Sequence, residues 1–374
     1  MRWLLGLLVF LPSLVSAQSI MSIVNAKSGV AYVGPGDIVS GATAWYGLRG
    51  YSAAYAATGT GKAINYRRAS DNSTQDGVIL TNGKFDIATA NAFAGPDGGT
   101  GVCTASTSGS STTLTIASCA TSATLHSGDT LTCASCVQPV YISALGTFSG
   151  TGAGASGTVT LNAAQNITSQ SVTSQIALFV PEIYDQSGNL RHLTQLTAAK
   201  QPQLLPSCGS LPCISFVGSA TQWLGPVTIA LPGATTFSLV SNRLAAGSIQ
   251  IALSMTTSVA YVMQYQAVAS QINAVGLGGT TITGTPSDGA FHAIQAVING
   301  ASPASFISVD GSNTTGSLTT GTNAGQAMGV GASGNGGQPF TGYGQEWAVW
   351  PAAMTTTQTS NICHNQTYWG AFGC

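Results

Sequence analysis

Ile183-Tyr184-Asp185-Gln186-Ser187-Gly188-Asn189-Leu190-Arg191-His192-Leu193-Thr194-Gln195 packs Asp185, Arg191 and His192 into one short stretch of a chain in which charge is scarce. Carboxylates accept hydrogen bonds from the vicinal hydroxyls of sugars, and an imidazole can act as general acid or base. Asp185 also sits where an Asp caps backbone amides in a turn, and His192 beside it also fits a satisfied, partly buried imidazole. Arg68 and Asp71, with Asp76 beyond them, form a second polar constellation, which either contacts a ligand or orders its own loop. Glu346 lies between Gln345 and Trp347 on an expected strand and is, with Asp185, the remaining candidate for a catalytic carboxylate. Trp223 and Trp347 offer faces on which sugar rings stack, and core packing is the alternative for each. No cofactor motif is present, and no cluster with metal-ligand spacing. Calcium stays open, although no acid cluster has calcium-loop spacing.

These residues must be positioned by strands. Only 6% of the 374 residues are charged, against about 25% in ordinary domains. Gly reaches 47 residues, and Ser and Thr are abundant. Long helices lack their usual straight-chain formers, whereas short Thr/Val/Ile runs between Gly and Ser favour strands and turns. Ala63–Arg68, Thr112–Ile116 and Thr158–Leu161 alternate apolar and polar residues as half-buried strands do. Phe237–Asn242, Ser248–Met255, Tyr261–Gln266, His292–Asn299, Phe306–Gly311 and Gly342–Trp350 continue the pattern, with Asp310-Gly311 as a hairpin turn. Phe85–Phe93 and Thr355–Trp369 read as short helices, and Ala42–Tyr55 is compatible with helix or strand. The class is all-β, a sandwich.

Arg2 followed by the apolar Leu4–Leu14 run and Val15-Ser16-Ala17 reads as a signal peptide over residues 1–17, so a secreted, extracellular or periplasmic chain is expected. No stretch is long enough for a membrane span. Without Arg2, nine basic residues (10 − 1) face 11 acids. Nothing attracts a phosphate backbone, so nucleic acid is excluded as a partner. Eight Cys in an exported chain imply disulfides. Local pairing, Cys103–Cys119, Cys133–Cys136, Cys208–Cys213 and Cys363–Cys374, is the simplest arrangement. The four Cys of the middle segment allow three connectivities. Between residues 98 and 178 Asp129 is the single charged residue. Residues 98–179 therefore read as an inserted, disulfide-stapled β subdomain or a long decorated loop, between a first sandwich part (18–97) and the remainder (180–374).

Asp288-Gly289-Ala290-Phe291-His292-Ala293, Val309-Asp310-Gly311 and Gln345-Glu346-Trp347-Ala348-Val349-Trp350-Pro351 resemble the concanavalin A-like jelly roll of laminin-G-like and lectin-like domains. Tyr184-Asp185-Gln186-Ser187-Gly188, His192-Leu193-Thr194-Gln195 and Arg68–Asp76 resemble the catalytic domain of the α-L-arabinofuranosidase B family. That likeness covers residues 34–94 and 180–350 and implies the same jelly-roll sandwich. It also implies two carboxylates about 5–5.5 Å apart in a retaining hydrolase. The family's nucleophile is a Glu in a His-Met-Glu-like strand; the corresponding region here, Tyr261–Gln271, holds no acid. Its acid/base is an Asp after a Gly-Ile-Gly-Gly run; here Gly329-Val330-Gly331-Ala332 is followed by Ser333. The resemblance thus implies a carbohydrate partner, such as an arabinose-containing polysaccharide, bound with weak or no hydrolysis. An active arabinofuranosidase and a structural or adhesive surface protein are the competing readings.

Overall fold

The computed structural model describes residues 31–95, 102–120, 124–137, 139–150, 153–231, 233–244, 246–255, 261–321 and 323–374, the side chains of 323–326 excepted; the segment 1–17, expected to be a signal peptide, lies outside them. Among the described residues the chain forms three sheets, and every pairing between strands is antiparallel. In the large, 12-stranded sheet, Thr235–Arg243 and Gly342–Trp350 lie at the centre. One arm runs through His292–Ile298 and Gly300–Val309 to Ser312–Leu318. The other runs through Cys213–Phe216, Gln203–Leu205, Leu178–Ile183 and Gly61–Arg68 to the edge strand Thr74–Ile79. The small sheet orders Leu224–Leu231, Asn323–Val330, Gln250–Ser254, Val262–Tyr265, Ile272–Val275 and Thr281–Gly284. This is the all-β sandwich expected.

Phe216, Phe237, Leu239, Ile294 and Trp347 of the large sheet share one buried cluster with Met263, Tyr265, Met328 and Val330 of the small one. The opposite face of the central strands is covered too. There Trp45, Val297, Ala348 and Trp350 pack with Met354 and Ile362 of the C-terminal segment, whose helix spans Thr356–Gln366. Both central strands are consequently buried at every position and lose the alternation that marks a half-wet strand. Ala42–Tyr55 divides into the strand Ala44–Gly47, added to Gly342–Trp350, and the start of the short helix Ala53–Ala57.

The third sheet is built wholly from Val102–Thr107, Ser111–Cys119, Thr130–Thr132, Ile142–Leu145, Gly157–Gln165 and Gln170–Gln175. It has its own core of Leu114, Ile116, Leu131, Val140, Ile142, Val159, Leu161 and Val172. Its lone acid, Asp129, is fully buried and accepts from the amides of His126 and Ala177, the latter leading directly into the large sheet. Gln203 of that sheet donates to Gly128 O at 2.6 Å. The one charge of the segment therefore ties it to the sandwich.

The cysteines pair locally: Cys103–Cys119, Cys133–Cys136, Cys208–Cys213 and Cys363–Cys374. Cys103 and Cys119 face each other across two paired strands, 16 residues apart. A closed loop of that length restricts the unfolded chain by about 3 kcal/mol. The double replacement Cys103→Ala/Cys119→Ala is expected to lose about that much unfolding free energy in a urea titration.

Candidate functional site

Strand Leu178–Ile183 ends at Tyr184, and the chain turns back through Gln186–Leu190 to pair Leu193-Thr194 with Glu182 and Ile183. The reversal uses left-handed backbone at Gly188 (φ 93°) and Leu190 (φ 56°), and at the first of these a glycine removes the steric penalty. Asp185 holds the turn. It is 4% exposed; its Oδ1 accepts from the amides of Trp45 (3.1 Å) and Ser187 (2.9 Å), and its Oδ2 from that of Arg191 (3.1 Å). Gln186, also buried, accepts from Tyr51 N and donates to Gly47 O. Asn189 donates to Ala42 O and Thr43 O, Arg191 Nη1 to Thr43 O, and the Tyr46 hydroxyl to Arg191 O. Burial pushes the Tyr46 phenol well above its ordinary pKa, with the Asp185 charge adding to the effect, so it stays a donor. His192 Nδ1 accepts from the Asp185 amide at 3.0 Å, which in the neutral ring puts the proton on Nε2. Its edge meets the Tyr184 ring at 5.0 Å.

The braced turn presents two surfaces. On one side an open cleft of about 440 Å³ is lined by Thr43, Ser187, Asn189, Arg191, Ala230 and Pro351 among others. On the other, the register sets Asp76, Asn65, Glu182 and Thr194 side by side across four strands. The Tyr184 hydroxyl donates to Asp76 Oδ1 at 2.7 Å. Asn65 Nδ2 donates to the same oxygen at 2.9 Å, and Lys62 Nζ is 2.7 Å from Asp76 Oδ2. Burial alone would raise the Asp76 pKa, but the bonds from Asn65, Lys62 and Tyr184 hold it below the ordinary carboxylate value. Burial, then Asp76, push the Tyr184 phenol far up. To an incoming hydroxyl this row offers acceptors, the Glu182 carboxylate and the Tyr184 oxygen, since the single phenol proton is committed to Asp76.

The structure separates the other candidates. Glu346 is wholly enclosed: Arg49 contacts its Oε2 through Nε and Nη2, both at 2.8 Å, Trp369 Nε1 donates to the same oxygen, and Gln366 Nε2 donates to Oε1. A carboxylate so occupied beneath the C-terminal helix is out of a solute's reach, and the expectation of Glu346 as a candidate catalytic carboxylate is corrected on that ground. Trp347, 1% exposed, packs edge-on to Phe216 in the core at 5.9 Å and offers no stacking face. Trp223 is half-buried beside Gly336. Arg68 and Asp71 make a paired contact on the surface, and Arg68 also donates to Phe93 O; this orders the loop, with Asp71 bonded to Ser73 as well. Glu182 and Tyr184 were not singled out by sequence reasoning. The available signal was strand parity: with Ile183 inward, both neighbours face out beside Asn65.

Where the resemblance expects a nucleophile, strand Val262–Tyr265 carries Gln264, 7% exposed, its Oε1 without a hydrogen-bond partner among the described residues. The strand Gln250–Ser254 separates it from Asn323–Val330, which leads to Ser333. The Ser333 hydroxyl bonds to Asn335 Oδ1 and Gly337 O within its own loop. Both positions are neutral.

The sequence matches no family model and no curated protein. Its structure is similar to that of a GH54 α-L-arabinofuranosidase mutant soaked with 4-nitrophenyl α-L-arabinofuranoside, with TM-score 0.51 and 14% identity over 89% of this chain and 64% of that one. A GH54 α-L-arabinofuranosidase soaked with a cyclic sulfate inhibitor gives TM-score 0.50 at 13% identity, again over 89% and 64%. An arabinofuranosidase complexed with arabinofuranosyl-α-1,2-xylobiose gives 0.51 at 13%, with the same coverage. The chain thus spans somewhat less than two thirds of the length of these proteins. At such identity the likeness establishes an arabinofuranosidase-like fold.

Proposed function

We propose that this exported protein recognises carbohydrate on an arabinofuranosidase-like sandwich and has little or no power to hydrolyse it. The arabinofuranosidase-like fold and the two polar surfaces beside the Tyr184–Thr194 turn support the binding half of this reading, and an arabinose-bearing polysaccharide is the first ligand to try. The observation that carries the second half is the neutral pair Gln264 and Ser333. An amide and a hydroxyl cannot supply the nucleophilic carboxylate and the proton donor that glycosidic cleavage requires. Four disulfides fit a chain that works outside the cytosol.

Titration calorimetry with arabinoxylan oligosaccharides, run beside release of nitrophenol from 4-nitrophenyl α-L-arabinofuranoside, tests both halves. Saturable heat with no release above buffer is expected. Release that disappears in Glu182→Gln would make the chain a hydrolase acting through the Asp76–Glu182 row. Neither binding nor release would leave the surface-adhesive reading, to which the nearly uncharged third sheet is suited.

A further inference from the structure

We propose that the cleft beside the Ser187–Arg191 turn takes an acidic sugar, a uronic acid whose carboxylate is held by Arg191. This rests on the carbohydrate reading above and adds the class of residue that the site selects. Among the described residues Arg191 is the only charged one lining the cleft; its companions are small, hydroxyl-bearing, amide or apolar. Its backbone and head group are both fixed before any ligand arrives. The amide donates to Asp185 Oδ2, the carbonyl accepts from Tyr46, and Nη1 donates to Thr43 O at 2.9 Å.

No carboxylate of the described residues comes within ion-pair distance of that guanidinium. The contrast with the other arginines is plain. Arg49 is paired with Glu346, Arg68 with Asp71 and Arg243 with Asp288, while Arg67 is occupied by Gln201 and Asn72. The nearest acid in the turn, Asp185, is buried, and both of its oxygens are taken by backbone amides. It lowers the positive potential at Arg191 but leaves the fork of donors unbridged.

A planar carboxylate matches such a fork with two parallel N–H···O bonds. Ser187 and Asn189 lie within the same cleft for ring hydroxyls, and Ala230 with Pro351 gives an apolar wall for the ring face. The site therefore selects a charged sugar against a neutral one by a bond that neutral sugars cannot make.

The experiment compares a glucuronic-acid-bearing arabinoxylan oligosaccharide with the same oligosaccharide after its carboxyl has been reduced to the alcohol, by calorimetry on the full exported chain. The acidic ligand is expected to bind about tenfold tighter, one charge-assisted contact's worth, and to lose most of that margin as salt rises. In Arg191→Gln the two ligands should bind alike, at the affinity of the reduced one. Arg191→Lys, which keeps charge without the fork, should retain a small part of the preference. Equal binding of both ligands to the unaltered chain would overturn this proposal and leave carbohydrate recognition standing. Binding of neither would overturn both. The ligand comparison needs no variant, so a misfolded substitution cannot mask the result.

Discussion

Replacing Glu346 with Gln is expected to lower the unfolding free energy by about 3–5 kcal/mol, the cost of leaving a buried charge without its partner. Arg49 is 1% exposed, and burial alone would lower its pKa; the Glu346 carboxylate outweighs that and keeps the guanidinium charged. Asn365 O accepts from Nη1 at 3.0 Å, and the Tyr368 and Trp369 rings lie 5.3 and 5.9 Å away. Gln366 and Trp369 donate to the carboxylate. An amide there must turn its NH2 toward one set of donors, so the substitution removes the charge and adds a clash of donors. Arg49→Met/Glu346→Leu is expected to recover most of the loss, because removing both charges removes the desolvation cost with them. Guanidinium denaturation of the three proteins checks this, and an unchanged midpoint in Glu346→Gln would sink the argument.

Asp185→Ala is expected to cost about 4 kcal/mol and to abolish glycan binding together with it. Three amides lose their acceptor, each a penalty of about 1–3 kcal/mol when buried. The turn also loses the bond that sets the Arg191 backbone. Asp185→Asn should cost about half as much, since its one oxygen can still serve Trp45 and Ser187 while its NH2 faces the Arg191 amide. His192→Ala, by contrast, removes one acceptor and one ring contact. A thermal melt in which Asp185→Ala matches the parent would show that the carboxylate does not hold the turn.

The difference between Asp185 and Glu346 explains how far sequence reasoning reached. Asp185 sits two residues before Ser187, and a local amide contact is a short-range property that a turn signal carries. Of its three partners, Trp45 is 140 positions away and carries no such signal. A Glu between Gln and Trp on a strand can face a groove or the interior, and its near neighbours do not decide which. The strand Gly342–Trp350 has no wet face, because the C-terminal helix covers it, and the neutralising arginine of Glu346 lies 297 positions earlier. Short strands, the Asp310-Gly311 turn and local disulfides were legible since each depends on near neighbours. The Asp76–Asn65–Glu182–Thr194 row was hidden, because its members come together only through strand register.

Pairing many of its charges at close range has a kinetic consequence, although Arg191 stands outside these pairs. Arg49–Glu346, Lys62–Asp76, Arg68–Asp71, Arg243–Asp288 and His292–Asp310 are close pairs whose fields cancel within a few ångströms. From these pairs little potential extends into solvent to guide a diffusing molecule. Encounter with a neutral polymer should then proceed at an unsteered rate, on the order of 10⁵–10⁶ M⁻¹s⁻¹, and hold that rate from dilute buffer to sea-water salinity. Selectivity in such a molecule resides in how long a partner stays.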